Sequence, residues 1–388
     1  MLVSAGVWLI ATVVCPSPRA EPAPSTLEST WGGSVKIDLL YTTTGYGSAE
    51  LYLFDYALVP AAIPLSPQVP SDNLTISARE TRLWHKGALT TPHGAVGSHL
   101  EIDFFGFDSG LGSERTTNST SPRLRHAYVT HGGLLVGQTW STWMDLPAFY
   151  EAQGEGAAAG ALVARQAMVR YSRKFPGPGA EAQIALENPE TTLTDPSGAR
   201  ITPSDDLAPD AVVKVSLQRC WGHVALAGMG RLLRADRVLV SDPGASDADL
   251  GLGIRLSGSV KVGARSNLKY DVTYGRGIGR YISFNSFNDG ELGDDGRIDP
   301  IEIVAGVASA QIWLTESARV AAIGSAAQAL GGSLPGSNKR TLTAQANVMW
   351  NPIAPLRLGI EYIVGRRTLE RGDSGDMHRV HSSLRYSF

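Results

Sequence analysis

Arg82 and Lys86, Arg123 and Arg125, and Arg170 lie in three stretches where every second residue is polar, so in an extended chain each set points to one side. Lys214, Arg255, Lys261, Arg357, Arg379 and Arg385 repeat the arrangement further along. Acids on the same parity are fewer: Asp38, Glu80, Glu101, Asp103, Asp271 and Glu361. Cations that outnumber facing acids attract anions, and the planar guanidinium fork matches a carboxylate or phosphate. That chemistry is electrostatic rather than covalent. The eight His form no HExxH, and His381 with Ser382 or Ser383 occupies one strand with no orienting acid evident, so no enzyme and no cofactor are expected. The segment NDGELGDDGRID (288–299) lacks the acid spacing of a calcium loop and reads as a solvated loop, so no metal is expected either.

Facing these cations must be something that narrows the space between them. The segment WSTWMDLPAFYEAQGEGAAAGALV (140–163) carries Trp140, Trp143, Asp145, Glu151 and Glu155, and ends in small residues that allow close backbone approach. Folded inward, it would form a constriction. The arginines would then either attract a passing solute or pin the loop through its carboxylates, and the residue pattern leaves both open.

The elements that position these groups follow from a period of two. Val35, Ile37, Leu39 and Tyr41 alternate with Lys36 and Asp38; Leu268, Tyr270, Val272 and Tyr274 alternate with Asn267, Lys269, Asp271 and Thr273; Leu356, Leu358, Ile360 and Tyr362 alternate with Arg357, Gly359 and Glu361. Sixteen such segments occur: 33–42, 73–86, 97–107, 122–131, 133–139, 164–174, 179–187, 209–218, 221–230, 250–261, 264–274, 302–314, 317–327, 340–349, 356–364 and 378–388. After a long first link (43–72) and a middling second (87–96), long and short connections alternate to the last long one, 365–377. An even number of strands, brief turns at one rim and extended loops at the other describe an all-β, 16-stranded antiparallel transmembrane barrel, apolar outside and polar within. In lipid every backbone amide must be paired, so the sheet closes on itself. Between Arg82 and Lys86 the parity would put Trp84 inside and His85 towards lipid.

The first twenty residues read as a signal peptide, with an apolar run from Leu2 to Val14 and a small residue at Ala20; a short segment, 21–32, would precede a single barrel domain over 33–388. Removal of that signal takes Cys15 with it and leaves Cys220 as the one thiol, which excludes an internal disulfide. A net charge of −3 offers no case for nucleic acid. The chain is expected in the bacterial outer membrane, in contact with its lipid. Phe388 places an aromatic ring at the membrane interface, and the barrel class implies that it serves as a signal to the barrel-assembly machinery.

The stretches SARETRLWHKG (77–87), RLRHAYVTHGGLLVGQTWSTWMDLPAF (123–149), RQAMVRYSRKF (165–175), ENPETTLT (187–194), YGRGIGRYI (274–282) and LGIEYIVGRRTLERGDSGDMHRVHSSLRYSF (358–388) resemble the DcaP-like porins of Proteobacteria. The resemblance spans nearly the whole mature chain. It implies a homotrimer of sixteen-stranded barrels passing small solutes by diffusion, with anions such as dicarboxylates favoured in some members. By that likeness Arg82, Arg123, Arg125, Arg165 and Arg170 belong to the wall, and Trp140, Asp145 and Glu151 to the loop. A helical extension before the barrel, present in some members, is absent here, and Trp84 stands where the family has a small residue. The expected function is a passive, anion-preferring porin; a non-selective diffusion pore and a plugged structural or adhesive barrel are the alternatives.

Overall fold

The computed structural model describes residues 26–43, 56–65, 72–106, 118, 120–156, 158–177, 179–203, 206–235, 247–332 and 334–388. The expected signal peptide lies outside them. Sixteen antiparallel strands close into one barrel. They are β1 Thr26–Thr42, β2 in two pieces (Asn73–Ser77 and Arg82–Thr91), β3 Gly94–Asp103, β4 Arg123–His131, β5 Leu134–Trp140, β6 Arg165–Lys174, β7 Ala180–Glu187 and β8 Asp210–Arg219. The second half comprises β9 Gly222–Ala235, β10 Asp247–Val262, β11 Ser266–Arg276, β12 Glu302–Trp313, β13 Ala318–Ala329, β14 Asn338–Ile353, β15 Leu356–Leu369 and β16 Ser374–Ser387.

Alternation puts the apolar parity outside. On β10, Leu252, Ile254 and Leu256 are 54%, 53% and 46% exposed while Arg255 between them is 2% exposed, which only a lipid-facing wall explains. β16 returns to β1 and pairs from Ser34 opposite Ser387 to Thr42 opposite Arg379, so no edge remains over that length. Two links are shorter than expected. β2 and β3 stay paired to Thr91 opposite Gly94, leaving only residues 92–93 as a turn, and β15 and β16 stay paired above Arg366 to Thr368 opposite Ser374. Beyond Val364 charge on both parities hides the strand signal, while residues 87–96 carry no charged side chain and lack a clear alternation.

Inside, the polar-in expectation fails on one side. Ala227 and Met229 of β9, Ile303 and Ala305 of β12 and Ala327 of β13 point inward and pack against Trp143, Met144 and Leu162 of the 140–163 loop and against Ile278, Tyr281, Ile282 and Phe287. The last four belong to a second inward loop, 277–301, which also contributes Gly290–Leu292 and Ile298–Pro300 to a four-stranded sheet with Leu193–Thr194 and Arg200–Ile201. The segment 288–299, read from sequence as a solvated loop, thus includes strand pairs of that sheet.

Candidate functional site

β2, β3 and β4 form the charged wall. β4 carries a bulge: Glu101 pairs with His126 and Ile102 with Leu124, so Arg125 is the extra residue. The bulge turns both Arg125 and His126 inward and flips the parity beyond, so Tyr128 also faces the lumen, hydrogen-bonded to His99 at 3.1 Å, while Val129 faces out. Arg125 reaches Glu101 (2.7 Å), Asp103 (2.6 Å) and Glu155 of the loop (2.8 Å). Arg123 pairs with Asp103 (2.6 Å) and Glu155 (3.3 Å), and Arg82 with Glu155 (2.7 Å). Three guanidiniums therefore face three carboxylates. This is the loop-pinning alternative, and Arg82, Arg123 and Arg125 take it.

The loop is held along its whole course. Asp145 accepts from His223 (2.9 Å) and Ser257 (2.7 Å), and Arg255 donates to the Trp143 carbonyl (2.6 Å). Glu151 pairs with Arg319 (2.5 Å) and Arg357 (3.5 Å). Lys36 donates to the Gln153 carbonyl (2.6 Å) and pairs with Glu80 (2.6 Å) and Asp38 (2.7 Å). Glu80 sits in the break that splits β2, where the chain leaves the strand and turns this carboxylate inward. His381 bonds Asp38 (2.7 Å) and Ser383 donates to Gln153 (2.7 Å), so these two serve the loop and do not converge on one another.

Burial opposes ionisation of the three loop acids, yet their partners prevail. His223, Ser257 and Arg255 hold Asp145, Arg319 and Arg357 hold Glu151, and Arg125, Arg82 and Arg123 hold Glu155 below the usual carboxylate range. A carboxylate depressed on folding contributes fully above its unfolded pKa, roughly 4, and loses that contribution as pH falls through the lower folded value. Single-channel conductance is therefore expected to stay level from neutral pH down to about pH 5 and to change only in stronger acid. A step inside that interval would show that some other group secures the loop.

Three cations near this cluster have no carboxylate partner among the described residues. Arg165, whose parity along β6 opposes that of Arg170, begins the strand opposite Trp140 and lies over its indole (4.8 Å), with Nη1 buried and unbonded. Arg170 has a buried, unbonded Nε. Lys214 of β8 donates only to the Met144 carbonyl of the loop (2.8 Å). Arg170, Lys214, Tyr128 and Trp140 line one cavity of about 380 Å³ between wall and loop; Glu181, bonded by Gln183, and Asp145 line it too. Lys86 is exposed and lies over Trp84 (5.1 Å). In that stretch Trp84 lies inward, opposite Glu101, and His85 packs outward on Trp31 (4.4 Å). Sequence reasoning missed Lys36, Arg319, His223 and Tyr128 as site groups; only the bulge after Arg123 and the loop path reveal them.

The model of the DcaP outer membrane protein family matches residues 32–388. The crystal structure of the outer membrane channel DcaP of Acinetobacter baumannii aligns with a TM-score of 0.78 at 24% identity, covering 93% of this chain and 97% of that one. An anion-selective porin from Comamonas acidovorans aligns with a TM-score of 0.61 at 13% identity, covering 94% and 100%. The trimer form of OmpT of Vibrio cholerae aligns with a TM-score of 0.56 at 11% identity, covering 94% and 99%. No curated protein sequence matches significantly.

Proposed function

The chain belongs to the DcaP outer membrane protein family, and from that premise we propose that this outer-membrane channel is a passive porin with a preference for small anions, working as a homotrimer with the 140–163 loop as its constriction. One observation carries the preference. With Arg82, Arg123 and Arg125 neutralised by Glu155, Asp103 and Glu101, the nearby cations that no carboxylate pairs among the described residues are Arg165, Arg170 and Lys214. The anion-preferring surface therefore lies two to four strands further round the wall than the arginine pairs suggest. Two cations flanking the aromatic rings of Tyr128 and Trp140 suit a small carboxylate, held by charge and slid over ring faces. Conduction requires that such binding stay weak enough for release.

The test is a double substitution, Arg170→Gln with Lys214→Gln, in planar bilayers under a salt gradient. The reversal potential is expected to move towards cation preference while the unfolding midpoint stays put, because neither side chain holds a carboxylate. An unchanged reversal potential would refute the reading, and a wild-type barrel without open-channel steps would favour the plugged alternative.

A further inference from the structure

The barrel closes unevenly. The last backbone exchange between the two ends of the chain joins Gly33 and Phe388, at 3.0 and 3.1 Å. β1 begins seven residues earlier. Over residues 26–32 it pairs only with β2, from Thr26 opposite Thr90 to Gly32 opposite Trp84, and β2 pairs in turn with β3 down to Thr91 opposite Gly94. At about 3.3 Å per residue this three-stranded tongue runs roughly 20 Å along the strand past the point of closure. Its root is closely packed. A Cβ on Gly32 would overlap the Trp84 indole, and one on Gly33 would crowd the Phe388 ring, so the two side chains lie directly across the root of the tongue.

Two features leave the tongue incomplete as a monomer. Among the described residues nothing pairs with the outer side of 26–32, and a bare edge of that length is a ready template for another chain. On its outward face Leu27 and Trp31 are 72% and 73% exposed. Tyr386 and Phe388 mark the aromatic level at which the hydrocarbon ends, and the tongue continues beyond it, where lipid tails cannot cover these side chains. A polar pair, Ser29 with His85 (2.8 Å), shares the same face. A contact face with an aromatic centre and a satisfied polar pair is built like a protein interface rather than a lipid belt.

We propose that this tongue, with Trp31 and Leu27 at its centre, is the contact by which copies of the chain hold one another on the periplasmic side of the membrane. The proposal rests on the homotrimer reading above. A second copy is the occupant that fits, because the tongue is flush with the lipid-facing wall of β1 and β16: whatever covers Trp31 must itself be lipid-facing above and apolar below, which another barrel is and a water-soluble partner is not.

Replacing Trp31 with photoreactive p-benzoylphenylalanine in the full chain, in intact outer membranes, is expected to give products of two and three protomer masses, while the same probe at Ile254 on β10 gives none. Products with another protein, or with lipid alone, would overturn the proposal. In parallel, the double variant Leu27→Ser with Trp31→Ser is expected to lose the trimer in native mass spectra while each barrel keeps its conductance; a trimer as persistent as wild type would also overturn it. A trimeric wild type without self-products from position 31 sinks the tongue alone, whereas a monomeric wild type sinks the homotrimer reading as well.

Discussion

Replacing Arg125 with methionine is expected to destabilise the barrel by about 3–5 kcal/mol, the range found when one partner of a buried ion pair is removed. The side chain is 4% exposed and its guanidinium is shared among Glu101, Asp103 and Glu155. Methionine fills similar space, so the loss is electrostatic: three carboxylates then share Arg123 and Arg82. Glu155 is the acid brought by the loop, and Glu155→Gln in the Arg125→Met background is expected to recover part of the loss, a coupling that a double-mutant cycle in a denaturant titration would read. A single-mutant loss below about 1 kcal/mol would mean that the cluster is solvated like a surface pair. Here the neutralisation of Arg125 acts first on stability and loop attachment, in contrast to Arg170 and Lys214.

The second large effect is expected at Gly160. The returning arm of the loop lies directly on the barrel wall there: its amide donates to Ser325 (2.7 Å), the neighbouring Ala159 amide donates to Thr343 (3.0 Å), and a Cβ would run into the backbone of Gly306 and Ala326. No side-chain rotation relieves a clash with backbone. Gly160→Leu is expected to lift the arm, at an overpacking cost of about 1–3 kcal/mol, and to raise single-channel conductance while lowering anion preference. Gly160→Ala should do the same to a smaller degree. Conductance unaltered in both variants would show that the loop does not set the narrowest point.

The strands were legible because lipid enforces a strict period of two on any wall that faces it, and β10, β11 and β15 as far as Val364 obey that rule. The inner face was legible only where it meets water. On β9, β12 and β13 the inward residues are apolar because two loops pack on them, and neither loop's destination is encoded near those strands. The arginine pairs share the inward parity, but which of them stay free depends on Glu155, 73 residues from Arg82 and 30 from Arg125. The bulge at Arg125 was illegible for a simpler reason. An inserted residue changes parity without changing composition, so Arg123 and Arg125 look like ordinary alternation, and nothing in the sequence marks the inward turn of His126 and Tyr128.

The seam between β1 and β16 sets an order of events. Ser34 waits for Ser387, so the first strand to emerge finds its second neighbour only when the last has been made. Closing so long a span comes late and slowly, and until then one flank of β1 stays open. Changes at the seam, such as bulk added at Gly33 where the Phe388 ring rests, should therefore register first as slow or failed assembly, even in barrels that are as durable as the parent once shut.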